Sequence, residues 1–294
     1  MTVLLRELSV KGLMRALAIV AVAMPLAACE TISSINPFGS AKATSDLSKD
    51  EPAEVLFNDG LARLQSNNYD GAARKFAELD KQYPYTNWSK RSLLLQTFAN
   101  YESRSYEDAI SNGKRFVQLY PADKDAAYAQ YLVGMSYFNQ IPDVSRDQER
   151  SQRALLAMDE LINKWPQSEY TPDARQRVAV ARDQLAAKEM DVGRYYLEQR
   201  NYTGAVNRFR EVLTRYQTTR HTEEALMRVT EAYMSLGIVP EAQTAAAVLG
   251  HNFPDSAWYK DAYKLLQAGG VEPRESESSW ISRAFRGFRR GIGI

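Results

Sequence analysis

One cysteine and two histidines are all that 294 residues offer of the side chains most used for metal ligation and acid–base chemistry. A lone Cys29 excludes an internal disulfide. His221 and His251 fall in different repeats, and the chain has no His-Glu-x-x-His, no cysteine pair and no phosphate-binding P-loop. Nothing places a serine, a histidine and an acid together, and nothing nominates another general base. The expectation is a protein that is not an enzyme, with no cofactor and no metal. Asp143, Asp147 and Glu149 are close in sequence, but a calcium loop needs acids at alternate positions, a central glycine and a closing glutamate. They read as a solvated loop. Net charge is +1, from 37 basic and 36 acidic residues, so bulk electrostatics gives no reason to expect nucleic acid. Eleven prolines and fifteen glycines are too few for a disordered chain. A 45% hydrophobic and 25% charged composition is that of an ordinary folded one.

What the chain does have begins at its N-terminus. Arg6, Lys11 and Arg15 precede an almost wholly apolar run, Ala16 to Ala28. That run is too short to remain as a membrane-spanning anchor and reads as a secretion signal. It ends Leu26-Ala27-Ala28-Cys29, which resembles the bacterial lipobox. In such signals the cysteine thiol takes a diacylglycerol and becomes the first mature residue. Residues 1–28 are therefore read as a lipoprotein signal peptide and Cys29 as the lipidation site. A plain signal with an incidental cysteine is the alternative. Many inner-membrane lipoproteins carry Asp after the cysteine; Glu30 points instead to the outer membrane, with the protein on its periplasmic face. Met14 is a second possible start. Residues 29–52, rich in Ser, Thr, Asn, Lys and Gly, read as a flexible tether.

Beyond the tether one phrase recurs. Tyr69-Asp70-Gly71-Ala72 is followed by Phe76 and closed by Tyr83-Pro84. The alanine returns as Ala109, Ala154, Ala205 and Ala242. The closing pair returns as Tyr120-Pro121, Trp165-Pro166, the variant Tyr216-Gln217, and Phe253-Pro254. Both series step by 37, 45, 51 and 37 residues. Two landmarks sharing one uneven period indicate tandem helical hairpins of the tetratricopeptide (TPR) type, with insertions at two junctions. The predicted fold is all-α, a right-handed superhelical solenoid of five TPR-like hairpins over residues 53–268. The hairpins span about 53–85, 89–121, 126–166, 172–217 and 222–254.

Gly60 and Ala72 are small so that two helices can approach, and Phe76 fills the space below. In the second hairpin Gly113 replaces that aromatic, offset by Phe116. Thr171-Pro172-Asp173 starts a helix, with Thr171 as N-cap. From there apolar residues recur at helical spacing to Tyr196 with no breaker before Arg200, predicting one helix of roughly 28 residues, about 42 Å long. Stacked hairpins create a groove for a peptide or protein. Tyr83, Tyr85, Trp88 and Tyr101 are candidates to line it, the alternative being that they are packing between repeats. Gln217 breaks the aromatic-proline closure, so the turn after the fourth hairpin is expected to differ.

Residues 269–294 form a basic amphipathic tail. Ile281, Phe285 and Phe288 share a helical face, and Arg283, Arg286, Arg289 and Arg290 carry charge with no acid among them. Such a segment can lie on an anionic membrane, dock in a partner's groove, or remain solvated.

Several stretches carry a family likeness. They are Tyr83-Pro84-Tyr85 with Trp88-Ser89, the Gly134 helix with its charged insertion ending Arg146-Asp147, and Trp165 through Thr171. Ala186-Ala187-Lys188-Glu189 with Tyr195-Tyr196 and Ala205-Val206-Asn207-Arg208 complete the set. Over about residues 51–265 the chain resembles the BamD (ComL) family of outer-membrane assembly lipoproteins. The resemblance implies a non-enzymatic subunit of the complex that inserts β-barrel proteins, alongside other assembly lipoproteins. It implies that the N-terminal hairpins receive unfolded barrel substrates. It also implies that the C-terminal hairpins hold a POTRA domain of the BamA-like barrel subunit, with Arg208, next to Asn207, as the coupling residue. The alternative is an envelope TPR lipoprotein that recruits cell-wall enzymes.

Overall fold

Residues 51–292 are described by a computed structural model of the chain, with side chains described through Arg286. The signal-like segment, Cys29 and nearly all of the tether lie outside them. The described residues form twelve α-helices. Five antiparallel pairs follow one another: α1 (Ala53–Gln65) with α2 (Tyr69–Gln82), α3 (Asn87–Glu102) with α4 (Tyr106–Leu119), and α5 (Ala126–Phe138) with α6 (Glu149–Lys164). Then come α7 (Thr171–Glu198) with α8 (Tyr202–Arg215), and α9 (Thr222–Ser235) with α10 (Val239–Asn252). Two more helices, α11 (Ala257–Ala268) and α12 (Trp280–Ile292), complete the chain. Each helix packs on the next in sequence as far as α11, the pattern of a solenoid.

The recurring landmarks have distinct mechanical jobs. Tyr83, Tyr120, Trp165, Tyr216 and Phe253 are each the C-cap of a second helix, with φ between −124° and −138°. A residue before proline avoids the α region, so the helix stops there. The turn after Tyr216 does not differ, despite Gln217. Thr219 N donates to Tyr216 O at 3.0 Å, as Ser168 N does to Trp165 O at 3.0 Å. The Gln217 amide donates back to Leu213 O, tying the turn to α8 without a proline. Between paired helices a left-handed residue makes the reversal: Asn67, Arg104, Arg200 and Gly237, with φ of 57°, 63°, 57° and 73°. Asn68 and Asn201 then cap the following helices by accepting from Gly71 N and Gly204 N, both at 3.0 Å.

The small-against-large expectation holds at contact level. A Cβ on Gly60 would fall 2.5 Å from the Phe76 ring, and one on Gly193 would fall 2.4 Å from the Phe209 ring. In the second hairpin the space beside Gly113 is taken by Val133 of α5, so the void is filled from the next repeat. Asp80 is buried between three helices. It accepts from Ser89 Oγ at the start of α3 and from Arg115 Nη1 of α4 at 2.6 Å.

Helix α7 runs unbroken for 28 residues. Its start differs in detail from expectation: Tyr170 is the N-cap, and Thr171 instead donates its hydroxyl to Trp165 O at 2.8 Å. The length has a consequence. Ala174 and Val178 join the core of Met158 and Leu161, whereas Leu185, Ala186 and Met190 join the core built on Phe209. One helix thus belongs to both cores, which accounts for the 51-residue interval.

Two expectations are corrected. The inserted stretch 141–148 leaves Asp143 and Asp147 exposed, as expected, but it is docked rather than free. Gln148 is buried and donates to the carbonyls of Asp143 and Arg146 at 2.9 and 3.1 Å. Gln184 and Lys188 of α7 bind Pro142 O and Ser145 O at 3.0 and 2.8 Å, so the loop is docked on α7. Asp143 and Asp147 serve as local caps, accepting from Ser145 N and Glu149 N. The second correction concerns the tail. Ile281 and Phe285 of its apolar face turn inward on the array. They are 0% and 1% exposed and lie in the core with Phe209 and Leu249, and α12 packs across α10 and α8. The side chain of Phe288 lies outside the described ones.

Candidate partner-binding surfaces

Tyr83, Tyr85 and Trp88 surround the turn from α2 to α3, and they are not equivalent. Tyr83 and Trp88 pack on the first core, with the Trp88 ring 5.2 Å from that of Phe57. Arg91 caps the pair, its guanidinium 4.6 Å from the Phe57 ring. Tyr85 alone stands free, 88% exposed and held at φ +62°. A bulky residue in the left-handed region carries strain of order 1 kcal/mol or more.

Tyr101 does not join them. It sits near the far end of α3, about 20 Å from Trp88 along the helix at 1.5 Å per residue. There it belongs to a tyrosine patch drawn from three hairpins. Its hydroxyl accepts from Asn139 at 3.1 Å. Tyr128 and Tyr131 of α5 each lie 5.1 Å from the Tyr170 ring, the second pair stacked. Tyr131 donates to Asp173 at 2.8 Å, and Arg177 completes the group through Asp173 at 3.1 Å. Burial pushes the Tyr128 hydroxyl up to about 12, so it stays protonated. Tyr170 was invisible to a helical-stripe reading because it lies in the turn before α7.

At Asp173, burial opposes ionisation, but hydrogen bonds from Arg177 and Tyr131 outweigh it and hold the carboxyl below its ordinary value. A depressed carboxylate contributes stability that is present above the unfolded pKa and lost as pH falls through the folded one. Acidification from pH 5 to pH 3 should therefore lower the melting temperature less in Asp173→Asn than in the parent. Equal acid slopes in the two melting curves would remove this group from the account.

Asn207 and Arg208 are both exposed on α8. Arg208 is aimed by Glu189 of α7, at 3.3 Å, so the two helices of the fourth hairpin present it together. Glu189 belongs to the Ala186–Glu189 stretch noted in the sequence. Arg210 turns the other way and stacks on Trp280 of α12, 4.5 Å from the ring. A cleft of about 540 Å³ opens between α4, α5 and α6, with Leu156 68% exposed at its edge and Lys114, Arg153 and Lys164 among its lining. The sequence reading missed it because it needs three helices from two hairpins.

Among the described residues, no cluster of His, Cys, Asp and Glu could hold a metal, and no helix is long and apolar enough to cross a membrane. Stacked hairpins with separate exposed surfaces define a class: helical-repeat proteins that hold partners on an extended scaffold. Within it the chain belongs to the YfiO family of outer membrane lipoproteins, whose model matches residues 49–249. It is 43% identical over 235 residues to the outer membrane protein assembly factor BamD of Caulobacter vibrioides, covering 80% of this chain and 77% of that protein. It is 38% identical over 216 residues to the factor of the same name from Rickettsia prowazekii, covering 74% and 86%. Against that of Neisseria meningitidis it is 29% identical over 255 residues, covering 83% and 93%.

Proposed function

We propose that the chain is a non-catalytic adaptor in outer-membrane protein assembly, anchored by lipid at Cys29 on the periplasmic face of the outer membrane. The match to the assembly-factor relatives over most of both chains carries this reading. Its C-terminal hairpins bind the barrel-forming subunit through a POTRA domain, with Arg208 as a contact and Asn207 beside it. Its N-terminal hairpins receive unfolded outer-membrane proteins, with Tyr85 the most available aromatic. Support for Arg208 is its placement: exposed, yet pre-oriented by Glu189 rather than buried in an ion pair. A guanidinium held this way loses little freedom on binding a carboxylate or backbone carbonyl.

Arg208→Glu should weaken capture of the barrel subunit at least tenfold in a crosslinking pull-down from membranes. The change leaves a half-exposed surface position, so the thermal melt should move by no more than about 2 °C. Undiminished capture would remove Arg208 from the interface. Recovery of cell-wall enzymes with no barrel protein would overturn the adaptor reading.

A further inference from the structure

Ile281 and Phe285 of α12 are used internally, so Arg283 and Arg286 are what this part of the helix presents. Arg283 and Arg286 are both exposed. Arg286 makes one hydrogen bond, to Glu277 O at 2.9 Å, and neither residue has a carboxylate partner among the described residues. The neighbouring helices contrast with this. Arg208 and Arg215 of α8 are paired with Glu189 and Glu211, Arg210 is stacked on Trp280, and Arg228 of α9 is paired with Glu224 and Glu231. The only acids nearby in sequence, Glu272, Glu275 and Glu277, precede the helix on the segment that runs along α10. That segment is fixed there: Arg274 N donates to Gln243 O at 3.2 Å, and Ser279 Oγ to Glu241 at 2.6 Å. Arg289 and Arg290 extend the same acid-free sequence.

We infer that docked α12 is an arginine ridge that binds the phosphate headgroups of anionic phospholipid, a second membrane contact besides the lipid anchor. The inference rests on the membrane placement proposed above but not on the anchor itself. Two observations favour lipid over an acidic protein. A protein interface has an apolar centre, whereas the apolar side chains between the two arginines and the array, Ile281 and Phe285, are 0% and 1% exposed. Guanidinium groups with no carboxylate partner match phosphate bidentately and need no such centre. The helix contributes charge rather than insertion, because Ile281 and Phe285 are already buried.

The test uses the chain from Glu30 onward, which lacks both the apolar signal segment and Cys29, in flotation with vesicles of phosphatidylcholine alone or with ~30% phosphatidylglycerol, a surface charge density at which basic segments bind. Binding should require phosphatidylglycerol and fall steeply in 1 M salt, where screening shortens to about 3 Å. Arg283→Gln/Arg286→Gln should reduce it about 30-fold, at roughly fivefold per arginine. Because Ile281 and Phe285 are untouched, its melt should match the parent. Equal binding to neutral vesicles, or undiminished binding by the double variant, would overturn the ridge. Mass spectrometry of the chain purified from membranes tests the anchor separately, by the presence or absence of lipid on Cys29.

Discussion

Phe209→Ala should cost about 3–5 kcal/mol, the range for truncating a buried phenylalanine that leaves a cavity. Phe209 is 0% exposed and sits where α7, α8 and α9 meet. The partner substitution acts from the other side. Gly193→Ala would place a methyl 2.4 Å from the same ring, with no room to relax except by moving the ring. Overpacking of this kind costs about 1–3 kcal/mol. In the presence of Gly193→Ala, Phe209→Leu should recover part of that loss, so the two changes are non-additive. Because contacts run between neighbours, the damage should be regional. Hydrogen exchange should quicken in α7 through α10 and leave α1 and α2 near parental rates. Additive effects of the pair, or uniform quickening, would contradict the packing described here.

The same pair shows why the array could be read from the chain. Gly60 with Phe76 and Gly193 with Phe209 repeat one steric solution, small on the first helix and large on the second. A local rule that recurs leaves a period. The aromatic C-caps leave another, and the 28-residue α7 follows from an unbroken apolar stripe. What was not legible depended on who the neighbours are. Gln148 looks like any loop polar residue, yet it is buried because the carbonyls of its own loop close around it. The tyrosine patch draws Tyr101, Tyr131 and Tyr170 from three elements, and no stripe in any one helix contains them. Gln217 looked like a broken closure, but its amide substitutes a hydrogen bond for the ring constraint of proline. Periodicity finds a face and does not say what covers it.

The tail is the sharpest case, and it carries the last expected result. Phe285→Asp should release α12 from the array. The carboxylate would enter a core position now 1% exposed, lined by apolar side chains, where an unpaired charge cannot remain. Release should begin beyond Ser279, because the segment before it is tied to α10 by Arg274 N on Gln243 O and Ser279 Oγ on Glu241. Two markers should report it. Trp280 loses its hydrogen bond to the Tyr233 hydroxyl, now 2.9 Å, and the guanidinium of Arg210 stacked 4.5 Å from its ring. Its fluorescence should shift to the red, isolated by subtracting the spectra of Trp280→Phe counterparts. A protease should then cut after Arg283 and Arg286, which sit in a folded helix in the parent. The first four hairpins touch α12 only through α8, so most helical circular dichroism should persist. Unchanged Trp280 emission and protection would mean that α12 is held by something other than its apolar face. The outcome also separates two roles for the tail in capture of the barrel subunit. Barrel-subunit capture that survives release makes α12 dispensable for it. Capture that falls with release, but survives Arg283→Gln/Arg286→Gln, makes it a support for α8, acting through the buried contacts rather than through its arginines.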